Sequence, residues 1–256
     1  MKNRTSWALC VVPVLLAGCG GGGGGGGQAS GAPQPQLTAR MSTGTGSLNA
    51  ASTKEFPTRQ AMTDLLRSGF RKQVAIDAGV GIAPNIQLVH ADGTLEFSGL
   101  AAANLDGQPA EQSSQRITAN SPLLHGLGDG RQNMYFKKNL ALEAIEFGHA
   151  YCQAKHSEPY PEFLAADQDG TLAVLDCYED RSKTLSAGRL IIMYATKLDS
   201  AGNLQLDELR NFVDDTSQRL SVMYTYTITP GGKASLNQLT ISHAHDNVTT
   251  MFARLH

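Results

Sequence analysis

The stretch Leu220-Ser221-Val222-Met223-Tyr224-Thr225-Tyr226-Thr227-Ile228 decides the fold class of this 256-residue chain. Its even-numbered residues are large and apolar or aromatic, whereas the residues between them are mostly small and polar. This alternation is typical of a β-strand with one buried face, so we expect Tyr224 and Tyr226 to lie in a core. The alternative for these two tyrosines is an exposed aromatic strip that binds a glycan or a peptide.

The residues around this strand predict more strands of an antiparallel meander. Pro230-Gly231-Gly232 predicts a turn directly after it. The strand after the turn carries four residues on one face, namely Leu239, Ile241, His243 and His245. Two further strands are predicted from their composition, over Arg189–Lys197 and Val248–Leu255.

Helical spacing of apolar residues predicts two main amphipathic helices. The first begins at Pro57 and ends near Gly79, with its apolar stripe at Met62, Leu65, Leu66, Phe70 and Val74. The second runs from about Lys137 to Lys155, with its stripe at Leu140, Ala144, Phe147, Gly148 and Tyr151. A short third helix is favoured by the spacing of Leu206, Leu209, Phe212 and Val213. Helices combined with an antiparallel sheet predict the α+β class, rather than a parallel nucleotide-binding sheet.

Two Asp-Gly pairs predict hairpin turns, because this dipeptide readily adopts positive φ angles. The turn at Asp92-Gly93 joins Asn85–Ala91 to Thr94–Gly99 and places five residues on one face, namely Ile86, Leu88, His90, Leu95 and Phe97. The turn at Asp169-Gly170 joins Phe163–Gln168 to Thr171–Tyr178. A helix followed by such a hairpin, repeated at an offset of 77 residues, hints at a duplication, although hairpin chemistry alone explains the repeat.

The first residues of the chain carry an export signal. Lys2 and Arg4 precede an apolar stretch, Trp7–Leu16, that is too short to span a bilayer. The stretch closes with Leu16-Ala17-Gly18-Cys19, which resembles the lipobox of bacterial lipoproteins. The resemblance implies that residues 1–18 are removed as a signal peptide and that Cys19 is acylated on its sulfur and its amino group. Acyl chains at Cys19 would anchor the protein in a lipid bilayer.

An unbroken run of glycines, Gly20–Gly27, follows Cys19. The resemblance also implies the outer membrane, because an aspartate at the place of Gly20 retains some lipoproteins in the inner membrane. To about residue 55 the chain stays rich in Gly, Ser, Thr, Pro and Gln and has too few apolar residues to fold. We therefore predict a lipidated, disordered tether over residues 19–55 and a single α+β domain over residues 56–256.

Charge and cysteine content narrow the function classes further. The chain has 21 basic and 23 acidic residues, so loss of Lys2 and Arg4 leaves 19 against 23 and a net charge of −4. A mildly acidic domain has no electrostatic basis for binding nucleic acid, and no such partner is expected.

Removal of the signal peptide and lipidation of Cys19 leave two cysteines, Cys152 and Cys177. We expect these two to form a structural disulfide in an oxidising compartment. A redox pair is the alternative, but it normally has the spacing Cys-x-x-Cys.

Signatures of exported hydrolases, such as Gly-x-Ser-x-Gly and His-Glu-x-x-His, are absent from the sequence. His243 and His245 share a strand face and could hold a metal with Asp246 or His256, but a solvated strand end accounts for them as well. Asp199–Leu209 resembles the second half of a calcium-binding EF-hand loop, yet a lysine occupies its first ligand position. We predict no catalytic residue, no metal site and no cofactor.

These observations favour a membrane-anchored lipoprotein of the cell envelope, held by acylated Cys19 in the outer membrane and facing the periplasm. Its domain is expected to be a non-catalytic binding or structural module, with the lipid bilayer and an envelope protein or a small ligand as partners. The alternative is a small exported enzyme or metal-binding protein that uses His243 and His245. A third class is an assembly component that docks through an exposed apolar patch. The feature that separates these classes is an enclosed pocket with convergent polar groups, with or without a histidine.

Overall fold

A computed structural model describes residues 54–82, 85–121, 131–148, 150–214, 219–245 and 247–255. The predicted signal peptide, Cys19 and nearly all of the predicted tether lie outside these ranges, as do Asp246 and His256.

One α-helix, α1 (Thr58–Ser68), precedes thirteen β-strands in the described part of the chain. The first seven strands are β1 (Phe70–Ile82), β2 (Asn85–Phe97), β3 (Ala101–Leu105), β4 (Gln108–Ala119), β5 (Gln132–Phe136), β6 (Leu142–Phe147) and β7 (Ala150–Ser157). The other six are β8 (Asp169–Tyr178), β9 (Ser186–Leu198), β10 (Leu204–Val213), β11 (Arg219–Ile228), β12 (Ala234–His245) and β13 (Asn247–Leu255).

The sheet closes on itself. Neighbouring strands pair antiparallel from β4 to β13, and β13 pairs with β1, where Ile76 lies opposite Ala253. β2 pairs with both β1 and β4, which completes the ring. β3 pairs with β4 at the other end of that strand, so twelve of the thirteen strands form the closed cylinder. Closure gives hydrogen-bond partners to the backbone N–H and C=O groups that the two edge strands of an open sheet would leave unpaired.

Inward-facing side chains from the strands around the cylinder form one core. Alternate residues of β11 belong to it, and Tyr224 and Tyr226 are 1% and 4% exposed, which confirms the predicted buried face. Other fully buried members are Ile76, Leu95, Met134, Ile145, Leu175, Leu204 and Leu206. The disulfide between Cys152 and Cys177 lies in the same core, where the two cysteines are register partners on β7 and β8.

Helix α1 covers one end of the cylinder, which we call the helix end. Phe56, two residues before the helix, forms a bridge with Leu164 in the connection between β7 and β8. The carbonyl of Leu66 accepts a hydrogen bond of 3.1 Å from the backbone N–H of Leu100, just after β2. Met62 points into the core and is 2% exposed. The helix thus plugs the cylinder where these strands are joined.

The prediction of two main helices is wrong, and the fold is dominated by its sheet. The helix that begins after Pro57 ends at Ser68, because Gly69 takes a φ of 60° and the chain turns into β1. The predicted helix over Lys137–Lys155 is the hairpin of β6 and β7, and the predicted short helix near Leu206 is β10.

Neither Asp-Gly pair forms a hairpin turn. Asp92 and Gly93 lie inside the continuous strand β2, and Asp169 and Gly170 begin β8. A Cβ on Gly93 would lie 2.2 Å from the carbonyl oxygen of Thr118, so this glycine permits close approach of β4. Because β2 continues through this pair, Leu88 and Leu95 lie on opposite faces of the strand: Leu88 is 72% exposed and Leu95 is buried. The prediction that they share one face is therefore wrong. The hint of a duplication, which depended on these two turns, loses its basis.

Candidate functional site

Strand β10 places two charged side chains in the interior of the cylinder. Its inward positions are Leu204, Leu206, Glu208, Arg210 and Phe212. The Glu208 side chain is 3% exposed and that of Arg210 is 11% exposed. Charged groups are rarely buried so deeply unless they are paired. The partners of these two side chains therefore decide what the interior can bind.

The two charges neutralise each other. Arg210 donates from Nε to Glu208 Oε1 over 2.7 Å, and Glu208 Oε2 accepts a hydrogen bond from the Tyr160 hydroxyl. The guanidinium lies 4.4 Å from the ring centroid of Tyr224, within range of a cation–π contact. Its Nη1 lies 3.4 Å from the sulfur of Met134. Contacts with Tyr160, Tyr224 and Met134 therefore hold the pair in place.

Burial sets the protonation of the surrounding tyrosines. It raises the pKa of Tyr160 and of Tyr226 well above the ordinary value, and the negative charge of Glu208 adds to both shifts. Burial also raises the pKa of Tyr224, although the positive charge of Arg210 opposes this shift. Burial disfavours the charge on Arg210, but Tyr224 and Glu208 outweigh it, and its pKa lies above the ordinary value. Near neutral pH the arginine is charged and the tyrosines are neutral.

A cavity of about 50 Å³ lies against the ion pair at the helix end. Polar groups of four residues line part of it, from Tyr160, Glu208, Arg210 and Tyr226. Apolar side chains form most of the remaining wall, namely Met62, Leu66, Phe97, Phe136, Leu140, Leu142, Leu172, Ala173 and Ile192. Glu158 also lines it, and its 63% exposed side chain marks where the cavity reaches the surface. A volume of this size holds about three water molecules.

No histidine is among the described side chains that line this cavity. His243 and His245 lie on β12, where His243 is the register partner of Leu220 and of Thr249. Their side chains lie outside the described part of the structure. Among the side chains that are described, no group of three His, Cys, Asp or Glu residues is close enough to hold a metal ion.

The segment that resembles half of an EF-hand loop is the turn between β9 and β10. Asp199 accepts hydrogen bonds of 2.9 Å from the backbone N–H groups of Ala201 and Asn203. These bonds lower the pKa of Asp199, the bond from Asn203 most strongly. Glu208, the residue aligned with the chelating glutamate, points into the core instead.

A second polar cluster lies outside the cylinder. The connection between β8 and β9, residues 179–185, folds over the outer face, and we call it the outer strap. Arg181 donates to the Tyr135 hydroxyl over 2.8 Å and pairs with Glu146, while Lys183 pairs with Asp106 at 2.8 Å. Beneath the strap and β3 lies a small apolar cluster, formed by Leu105, Ala110, Tyr135, Ala144 and Tyr151. Every charge named here has its partner within the cluster.

Comparison with known proteins gives no match, whether with protein-family models, with curated proteins or with solved structures. Within the described residues, no helix has the length and apolar character needed to cross a membrane.

Proposed function

We propose that this chain is a lipoprotein of the cell envelope whose closed sheet is a non-catalytic module that binds a small ligand in its interior. Acylated Cys19 would hold it in the outer membrane, with the domain facing the periplasm. The anchor rests on the residues Leu16-Ala17-Gly18-Cys19 and on the glycine-rich tether that follows them.

The cavity beside Glu208 and Arg210 is the observation that carries the binding proposal. Apolar walls with a few convergent polar groups are the usual properties of a ligand pocket. A buried ion pair is often less stabilising than apolar residues of the same volume, so its presence beside a cavity favours a role beyond stability. Both oxygens of Glu208 already accept hydrogen bonds, from Arg210 and Tyr160, so the carboxylate is not placed as a free base or nucleophile.

Two methionines allow a direct test of interior binding. Met62 lines the cavity, whereas Met223 belongs to the opposite face of β11 from Tyr224. With isotope-labelled methionine methyl groups, a ligand inside the cylinder should shift the Met62 resonance saturably and leave that of Met223 in place. The full mature chain carrying Cys19→Ser is suited to this test, since it lacks the lipid. If no small organic probe of any charge shifts Met62, the interior is not a binding site.

The same substitution tests the anchor in cells. The unaltered chain should fractionate with membranes, and Cys19→Ser should leave soluble or unprocessed protein. Membrane-bound Cys19→Ser protein of normal processed size would refute the lipid anchor.

A further inference from the structure

We infer that the ligand of the cavity is a small uncharged alcohol, with its hydroxyl group against Glu208 and Arg210 and a short aliphatic body against the apolar wall. This inference rests on the proposed function, and names the ligand class of the same site.

The ion pair has hydrogen-bonding capacity that suits a hydroxyl group. The two carboxylate oxygens of Glu208 accept one hydrogen bond each, from Arg210 and from Tyr160. A carboxylate oxygen has lone pairs for a second hydrogen bond. The Nη1 atom of Arg210 faces the thioether of Met134, a weaker acceptor than an oxygen atom. A hydroxyl group both donates and accepts, so one such group serves both members of the pair.

The balance of charge argues against an ionic ligand. Glu208 and Arg210 sum to zero, and the tyrosines beside them are neutral near neutral pH. A carboxylate or an ammonium group placed beside the pair would be a third charge in surroundings that penalise it strongly, and the further charged group that lines the cavity, Glu158, is a solvent-exposed side chain at the mouth. Glu158, at the mouth, is negative and would further disfavour an anion.

The size of the cavity limits the body of the ligand. A volume of about 50 Å³ accepts only a few non-hydrogen atoms. Met62, which lines the cavity from α1, is an unbranched and adaptable side chain that can yield to a slightly larger group. These limits favour a short straight-chain alcohol over an aromatic or branched one.

Four probes of nearly equal size separate the ligand classes: 1-butanol, butyrate, butylammonium and n-pentane. We expect the Met62 resonance to titrate with 1-butanol at an affinity about tenfold or more above that for each of the other three. Tightest binding of butyrate, butylammonium or pentane would overturn the alcohol inference and leave interior binding intact. If none of the four shifts Met62, the proposed function itself fails.

Variants locate the ligand. Ala173 lines the cavity and is 1% exposed, so Ala173→Leu should fill the space and weaken 1-butanol binding about tenfold or more. Ala195→Leu, on the outward face of β9, is the matched control and should bind like the parent chain. Unchanged affinity in Ala173→Leu would overturn the inference. Should Ala173→Leu fail to fold, Glu208→Gln provides the second test, because an unpaired Arg210 should reverse the preference toward butyrate. A retained preference for 1-butanol in folded Glu208→Gln would count against the inference.

Discussion

Replacing one member of the Glu208–Arg210 pair should destabilise the protein strongly, whereas replacing both members should not. Glu208→Ala leaves the guanidinium buried without its counterion, so we expect a loss of about 3–5 kcal/mol in the free energy of unfolding. The double variant Glu208→Leu with Arg210→Met replaces both charges by apolar groups and should lie within about 1 kcal/mol of the parent, or above it. Urea unfolding of both variants measures this, and a loss below about 1 kcal/mol in Glu208→Ala would mean that the pair is solvated.

The buried tyrosines predict how stability depends on alkaline pH. Burial raises the pKa of Tyr160, Tyr224 and Tyr226 in the folded state above the ordinary value of 10.0. Above pH 10 the unfolded chain therefore releases protons that the folded chain keeps, and the free energy of unfolding falls. The contribution of these hydroxyls is complete below about pH 10 and is lost as the pH rises toward the folded-state values, by up to about 1.4 kcal/mol per pH unit for each tyrosine.

Urea unfolding between about pH 9 and pH 11 checks this, with Tyr226→Phe as the comparison. The variant should lose stability less steeply with pH, because it has one fewer buried hydroxyl. An unchanged midpoint of the parent across this range would show that the tyrosines ionise as in the unfolded chain.

At the scale of elements, Gly69 separates the helix from the sheet. Its φ is 60°, and a Cβ there would lie 2.4 Å from the backbone nitrogen of Gly99. Gly148 also has a φ of 60°, but nothing lies within 4 Å of its Cβ position. Gly148→Ala should therefore cost only the conformational penalty, about 1 kcal/mol.

Gly69→Ala should cost about 3 kcal/mol or more, because the connection after β2 must also move. Thermal or urea unfolding of the two variants gives the difference. Equal losses would show that α1 does not lie close against the connection at Gly99.

Among the strands, element type was predictable from sequence where one face is buried and apolar. β11 meets this condition, and its buried face is the predicted one. The strand β6 does not, because Ile145 packs inside the cylinder while Ala144 packs under β3 and the outer strap. With both faces covered, apolar residues lose the alternation of period two and fall at helical spacing.

β10 misled the prediction for a different reason. On its inward face, Glu208 and Arg210 stand between the apolar residues Leu206 and Phe212. These polar residues break the alternation of apolar and polar residues that would have indicated a strand. The same two residues are the site that the sequence did not reveal. Only their spacing of two along a strand could have indicated that they share a face, and that signal requires the strand to be known first.

At the scale of the whole molecule, the closure of the sheet was beyond reach of the sequence. The meander from β11 to β13 follows from local alternation and turns, but the pairs β1–β13 and β2–β4 join distant segments. Such pairs depend on the register of strands far apart in the chain, for which no local pattern exists. The disulfide was predictable from the cysteine count and the oxidising compartment that the predicted export signal implies, and its partners are adjacent on β7 and β8.

The cavity and its ion pair exist only if the sheet closes, so the pairing of the first strand with the last is the central claim. Ala75 on β1 is the register partner of Arg254 on β13, and Asp77 is the partner of Phe252. In the mature chain, cysteines introduced by Ala75→Cys and Arg254→Cys should form a disulfide on air oxidation, found by mass spectrometry of the linked peptides. The offset pair Ala75→Cys and Phe252→Cys should stay reduced. Absence of the first cross-link, or equal formation of both, would contradict a closed sheet in this register.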